Sequence, residues 1–290
     1  MILITGGAGF IGSCLVKRLN KEGNYDIIIC DFMEKQWKNL LHKKFIDIIN
    51  PLHLLSEIKK YSIDCIVHLG ANSSTLSYNA TTNYDFSKMI CDYAVEHKIP
   101  FIYASSGAVY GNTGAPLNNY GYGKYLFDIY ANRLIQENDK IVGLRFFNVF
   151  GPNEYHKGNM ASLVYQKFVE IESVGYATLF NVDVERDFIY VKDVVEVITY
   201  FIENPISGIY DVGHGKAIPV IDMIEYVFMS MGLDTRICYD PIPDTIKEQY
   251  QYYTQAKLKF PKSFNVVFWD VKSAVNDYVT NYLIGGLKYE

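Results

Sequence analysis

Short apolar runs recur along the first half of the chain: Ile2 to Thr5, Asp26 to Cys30, Cys65 to Leu69, Phe101 to Ala104 and Ile141 to Phe146. Each is too short for a helix and rich in branched side chains, which predicts a buried strand. Between them lie mixed apolar and polar stretches that predict helices over Ile11 to Lys21, Pro51 to Tyr61, Tyr84 to His97 and Tyr120 to Asn138. Strand and helix alternating at these lengths require crossover connections, so the class is α/β with an open, doubly wound parallel sheet. After Phe150-Gly151-Pro152 the rhythm changes to loops rich in Gly, Asn and Pro, with helices expected over Met160 to Ile171, Lys192 to Asn204 and Ile221 to Met231. The expected organisation is a first domain over 1–146 and a smaller α/β lobe woven into it. That lobe takes mainly 147–186 and 215–290, while a segment near 187–214 returns to the first domain.

At 290 residues, 49% of them hydrophobic and 20% charged, the chain can bury a core without disulfide staples. The net charge of -5 is spread without a long run of one sign, so neither nucleic acid nor a membrane surface is expected as a partner. Five cysteines without a CxxC pair suggest neither a disulfide framework nor a zinc site, and no metal is expected. No apolar stretch reaches the roughly 18 residues of a membrane span, and the start carries no basic leader. A cytoplasmic location is the expectation.

Gly6-Gly7-Ala8-Gly9-Phe10-Ile11-Gly12 reads GxxGxxG between the first strand and the first helix. Glycines there let backbone N–H groups approach a pyrophosphate, and the helix N-terminus adds partial positive charge. This makes 1–146 a dinucleotide-binding domain of Rossmann type. Asp31 ends the second strand where an acidic side chain accepts from an adenosine ribose hydroxyl, which favours NAD. Lys35 and Lys38 follow closely and suit a 2′-phosphate, so NAD and NADP both stay open. Tyrosine is abundant, with 25 copies, and three stand four residues before a lysine: Tyr84, Tyr120 and Tyr253. Spacing alone cannot choose among them. Only Tyr120, paired with Lys124, follows a strand ending in Ala104-Ser105-Ser106, whose hydroxyl would meet a substrate oxygen at the carboxyl edge of the sheet.

Together the glycine turn, Ser105 to Gly111 (SSGAVYG), Tyr120-xxx-Lys124 and Arg145 to Pro152 (RFFNVFGP) resemble the extended short-chain dehydrogenase/reductases that act on nucleotide sugars. Within that superfamily, His156 to Ser162 (HKGNMAS), Arg186 to Val191 (RDFIYV) and Tyr250 to Ala256 (YQYYTQA) are similar to the ADP-L-glycero-D-manno-heptose 6-epimerase family. Departures from the family pattern are Gly123 in YGYGK, Asn159 for a serine, Asn72 for a cysteine, Leu69 for a glutamate, and Phe180 to Glu185 (FNVDVE) before Arg186.

The resemblance implies an isomerase that inverts C6 of a nucleotide-linked manno-heptose through a transient ketone, for lipopolysaccharide core or other surface-glycan synthesis. It implies a tightly held NADP, with NAD as the other option, and a homo-oligomer, a pentamer in the family. Tyr120 would carry the hydroxyl proton, Ser106 would hold the oxygen, and Lys124 would lower the tyrosine pKa and bind the nicotinamide ribose. Lys157 would be the proton carrier for the opposite face, with His156 structural. The cofactor positions implied are Gly6, Gly9, Phe10, Ile11, Gly12, Asp31, Phe32, Lys38, Leu69, Gly70, Ala71, Asn72, Asn83, Tyr120, Lys124 and Val149. On the substrate side stand Ser106, Asn148, Asn159, Gln166, Phe180, Arg186 and Tyr250. Of these, Arg186 suits a diphosphate because its planar fork makes two charge-assisted bonds. Other readings of the same residues are another nucleotide-sugar epimerase or reductase, of the GDP-heptose or 4-epimerase type, and a dinucleotide sensor without catalysis.

Overall fold

Seven strands form one parallel sheet: β1 (Ile2–Thr5), β2 (Ile27–Cys30), β3 (Asp47–Ile49), β4 (Cys65–His68), β5 (Phe101–Ser106), β6 (Ile141–Phe146) and β7 (Gly208–Val212). Their order is β7-β6-β5-β4-β1-β2-β3, so the chain leaves β1 in one direction and resumes at β4 on its other side. That reversal opens a crevice at the carboxyl ends of β1 and β4, where Thr5 stands level with Cys30 and His68. The computed structural model describes residues 1–71, 81–112, 114–137 and 140–287, apart from the side chains of Lys35, Thr81 and Thr82.

Side-chain alternation along the strands divides the core in two. Ile2 and Ile4 of β1, with Ile27 and Ile29 of β2, face α1 (Phe10–Lys21) and join one cluster. Leu3, Ile28 and Ile66 face the opposite way, into a cluster with α2 (Thr81–Glu96) and α3 (Asn119–Gln136). Beyond β6 the chain forms α4 (Leu163–Val174), then α5 (Val191–Glu203), which packs beside α1, then β7 on the edge of the sheet and α6 (Val220–Met231). Three two-stranded ribbons complete this half: Val149–Phe150 with Ile189–Tyr190, Glu185–Asp187 with Ala217–Pro219, and Ala177–Phe180 with Ile237–Asp240.

The fold class expected from the sequence is the one observed, with differences in detail. The stretch Pro51 to Tyr61 is not one helix but a single α-turn, Leu54–Glu57, between the 3-10 turns Pro51–His53 and Ile58–Lys60. Only Leu54 and Ile58 of these turns are buried, too little apolar surface to hold a longer helix to the sheet. The helix expected over Met160 to Ile171 begins at Leu163, because the Ser162 hydroxyl caps it by accepting from Tyr165 N, and ends at the left-handed Gly175. Strands β3 and β7 escaped the reading of apolar runs. One has three residues, and the other carries Gly208, Tyr210 and Asp211 in a five-residue stretch. Among the described residues no helix is long and apolar enough to cross a membrane.

Candidate active site

The turn after β1 can be built only from glycine at its tightest points. Gly6 adopts φ +69°, and a Cβ there would sit 2.7 Å from the backbone N of Gly70; at Gly12 it would sit 2.2 Å from the carbonyl O of Gly6. Helix α1 therefore starts pressed against β1, and its N-cap, Gly9, has no side chain to cover the first turn. Backbone N–H groups at a bare helix N-terminus suit the pyrophosphate of a dinucleotide, so the residues present fit that group. Asp31 lies just past β2 with Oδ2 accepting from Ala8 N at 2.9 Å and Oδ1 3.4 Å from Gln36 Nε2. Burial pushes its pKa above the ordinary carboxylate value, against the pull of these hydrogen bonds.

Tyr120 occupies the first turn of α3, which is started by Asn118 accepting from Gly121 N at 2.9 Å. Its hydroxyl hydrogen-bonds Ser106 at the end of β5, and burial raises its pKa while that bond opposes the rise. Lys124, one turn on, is 4% exposed and donates from Nζ to the carbonyl O of Ala104 at 2.7 Å. Desolvation brings its pKa down to about 8, with the nearby charge of Asp128 acting the other way. Asp128 in turn accepts from Tyr103 Oη at 2.9 Å and Arg145 Nε at 2.7 Å. Arg145 reaches Tyr110 Oη at 2.6 Å, and Tyr110 donates to Asp211 at 2.7 Å. The apolar patterning did not disclose this buried polar chain.

Lys157 sits on the 3-10 turn Tyr155–Met160, within a loop closed by one carboxylate. Glu154, fully buried, accepts from Gly151 N at 3.3 Å, Ser162 Oγ at 2.6 Å, Ser162 N and Tyr278 Oη at 3.1 Å. Both ends of the loop are thereby tied to one point. Burial lowers the Lys157 pKa and the Glu154 charge opposes the fall; its Nζ stands 5.3 Å from the Phe10 ring centre. The loop is also joined to the glycine turn. Asn39, buried, points its Nδ2 at Ala8 O (3.0 Å), Asn153 O (3.1 Å) and His156 Nδ1 (3.3 Å).

Arg186 comes from the Glu185–Asp187 strand, with one terminal nitrogen donating to Gln251 O at 2.9 Å and its guanidinium 5.1 Å from the Tyr250 ring centre. Its Nε is buried without a hydrogen-bond partner among the described residues, and burial lowers its pKa. A buried cation with an unused donor facing a cavity is suited to an anion. Tyr250 packs edge-on against Phe180. Asn148, at φ +29°, donates from Nδ2 to Asp187 O at 2.7 Å and Thr254 Oγ1 at 3.0 Å. The Asp187 carboxylate accepts from the N–H groups of His214, Gly215 and Ala256, which locks three chain segments behind Arg186.

One cavity of about 910 Å³ brings these parts together. Its wall includes Gly6, Gly9, Phe10, Ile11, Gly12, Asp31, Leu69, Gly70, Ala71 and Val149, then Ser106, Tyr120, Lys124 and Lys157, then Asn148, Gln166 and Arg186. Phe32 and Lys38 are exposed outside that wall, and Asn83 is buried in α2. Phe180 and Tyr250 stand behind Arg186, and Asn159 touches the wall through its carbonyl, which accepts from Gln166 Nε2 at 3.1 Å. Asn72 lies outside the described residues. The sequence reading missed Glu34, Gln36 and Ser105 in the wall and took His156 as structural, although its ring reaches the cavity. Adjacency to Asp31 and Ser106 was the available signal for the first three.

Residues 2–213 match the family model described as NAD dependent epimerase/dehydratase family. The chain is 36% identical, over 98% of both chains, to ADP-L-glycero-D-manno-heptose-6-epimerase of Nitratidesulfovibrio vulgaris strain DP4. The solved structure of the Helicobacter pylori ADP-L-glycero-D-manno-heptose-6-epimerase superposes with a TM-score of 0.84 at 28% identity, covering 97% of this chain and 95% of that one. The Thermus thermophilus UDP-glucose 4-epimerase in complex with NAD shares the fold, with a TM-score of 0.77 at 20% identity over 99% of each chain. Glycine turn, Tyr120 to Lys124 pair and whole-chain similarity converge: the protein belongs to the NAD-dependent epimerase/dehydratase family.

Proposed function

We propose that the protein is an isomerase that inverts C6 of a nucleotide-linked manno-heptose, with a nicotinamide dinucleotide retained through the cycle. The observation that carries this reading is the placement of Tyr120 and Lys157, two desolvated proton carriers from separate elements, on the wall of one cavity that begins at the glycine turn. The dinucleotide supplies hydride exchange when bound. Everything else falls to the chain. Tyr120 takes the hydroxyl proton as the substrate carbon is oxidised, Ser106 holds the oxygen, and Lys124 favours the tyrosinate by its positive charge. Once the ketone presents its other face, its oxygen has moved, and Lys157 serves as the proton carrier at the second position. Arg186 holds the diphosphate, with Tyr250 and Phe180 backing its guanidinium and with Asn148, Gln166 and Asn159 beside the sugar.

Similarity to the 6-epimerases named above favours a heptose over other sugars. The same resemblance supports a place in surface-glycan synthesis and a cytoplasmic homo-oligomer, whose subunit number light scattering would give. The test of function is purified protein incubated with ADP- and GDP-linked manno-heptoses and followed by NMR at C6. Interconversion of the two C6 epimers is expected. No change at C6, with turnover of a nucleotide hexose at C4, would replace this reading with that of a 4-epimerase.

A further inference from the structure

Glu154 is a carboxylate with none of its surface exposed, three residues before Lys157. The described groups that bond it all act as donors. Oε1 accepts from Ser162 Oγ at 2.6 Å, Tyr278 Oη at 3.1 Å and Gly151 N at 3.3 Å, and Oε2 accepts from Ser162 N. Two of these donors are backbone N–H groups, which cannot accept, and Ser162 Oγ already accepts from Tyr165 N at 3.3 Å. A proton on the carboxyl would break into that set, so the arrangement is built for the ionised form. Burial pushes the Glu154 pKa up, while the bonds from Ser162, the charge of Lys157 and the bond from Gly151 pull it down.

The titratable groups that meet this loop are Tyr278 from the C-terminal segment Tyr278–Ile284, Tyr165 from α4, Cys14 from α1, and Tyr155 and His156 from the loop itself. Burial holds Tyr155 and Tyr278 above the ordinary tyrosine value and His156 below the ordinary histidine value, so these three are neutral near pH 7. Lys157 is the cation that acts on both Glu154 and His156. Its Nζ stands over the Phe10 ring at the cavity wall, where burial works against its charge and Glu154 works for it. Proton delivery at the second position needs that charge. One N–H bond of Lys157 breaks and an O–H bond forms on the ketone oxygen as the carbon is reduced, leaving a neutral amine. A desolvated lysine without a fixed anion nearby gives up its proton too early.

We propose that Glu154 is a positioning residue for the second proton carrier, a resident anion of the loop that keeps Lys157 an ammonium until the ketone oxygen reaches it. This deepens the reading above and rests on it, since that reading gives Lys157 its task. The test is trace labelling of purified holoenzyme with acetic anhydride over a series of pH values, without sugar, followed by mass spectrometry of the Lys157 peptide. Exposed Lys59 serves as the internal standard. Only the neutral amine is acetylated, so the labelling curve gives the titration midpoint of Lys157. In Glu154→Gln that midpoint should fall by about one pH unit, a roughly tenfold gain in neutral amine at any pH well below it, as loss of a unit charge a few ångströms away requires. A carboxylate that only tethered the loop predicts the opposite sign, because a loosened loop lets water reach Lys157 and its midpoint rises. A midpoint that stays or rises in Glu154→Gln therefore overturns the proposal. Should that variant not fold, Glu154→Asp keeps the charge and shortens the reach. Its Lys157 midpoint should match wild type, and a midpoint displaced by about one pH unit in either direction would show that reach governs the lysine and overturn the proposal. The function assay separates the two readings: C6 inversion without the labelling shift removes the part of Glu154 alone, and the labelling shift without C6 inversion removes the epimerase reading.

Discussion

The two sides of the cavity are built by different means. On one side the glycine turn, Ser106, Tyr120 and Lys124 sit at the ends of β1 and β5 and on the first turns of α3, so sheet register and helix geometry place them. On the other side Lys157 sits on a 3-10 turn, Asn148 on a connecting bend and Arg186 on a three-residue strand, and buried side-chain carboxylates fasten the segments around Lys157 and Arg186. Glu154 gathers the Lys157 loop, and Asp187 gathers the segments behind Arg186. A backbone ladder spreads its support over many weak bonds. A single carboxylate concentrates it, so the second side is the one that one substitution can loosen.

The largest effects test whether the two sides each contribute a proton carrier. Tyr120→Phe and Lys157→Met should each lower kcat by about 10²–10⁴, the range for a well-placed acid or base, with fold and dinucleotide retained. Steady-state kinetics with kcat and KM resolved separately decide it. If Lys157→Met raised KM alone, the loop side would be a binding surface and Tyr120 the sole base.

Next in size is Arg186→Ala. Loss of a charged hydrogen-bonding contact costs on the order of 1.5–3 kcal/mol, ten- to a hundredfold in nucleotide-sugar affinity, while dinucleotide retention stays unchanged. Calorimetric titration with a nucleotide diphosphate reads this directly, and an unchanged affinity would move the diphosphate elsewhere.

Glu154→Gln sharpens the structural contrast. The amide keeps one acceptor and turns NH2 toward donors that need an oxygen, at a cost of about 1–3 kcal/mol of stability measured by urea unfolding. A conservative change on the ladder side, Ser105→Ala, removes a hydroxyl with no partner among the described residues and should leave the unfolding midpoint nearly unmoved.

The smallest expected effect concerns pH. Burial holds Lys124 at about 8 in the folded protein, below its ordinary value, so the unfolded chain binds more protons between about pH 8 and 10.5. The contribution of Lys124 to stability therefore rises with pH across that window, as the buried lysine gives up its charge. Activity should fall over the same window, since the neutral amine no longer favours a tyrosinate. Asp128→Asn removes the charge that opposes the shift and should move the falling limb of the kcat profile to lower pH. A limb that stayed in place would separate Asp128 from Lys124 electrostatically.

Legibility followed the same division. Ile2 to Thr5, Cys65 to His68 and Ile141 to Phe146 are strands because each is a local run of branched apolar residues, and GxxGxxG is recognisable because its constraint acts within seven consecutive positions. Tyr120 needed one more step, its distance from Ser106, to stand out from Tyr84 and Tyr253. Strand β7 was not legible, since Gly208 to Val212 becomes a strand by pairing with β6, some 65 residues earlier in the chain.

Sequence alone thus determined the doubly wound sheet, the dinucleotide turn and the Tyr120 to Lys124 pair, all of which depend on residues close together in the chain. Tertiary structure decided what crosses the chain. It set Asn39 between Ala8 and Asn153, Tyr278 on Glu154, and Ala256 on Asp187. Apolar periodicity reports which face of an element is buried but carries no record of which distant polar group will meet another, and the loop side of this cavity is made of such meetings.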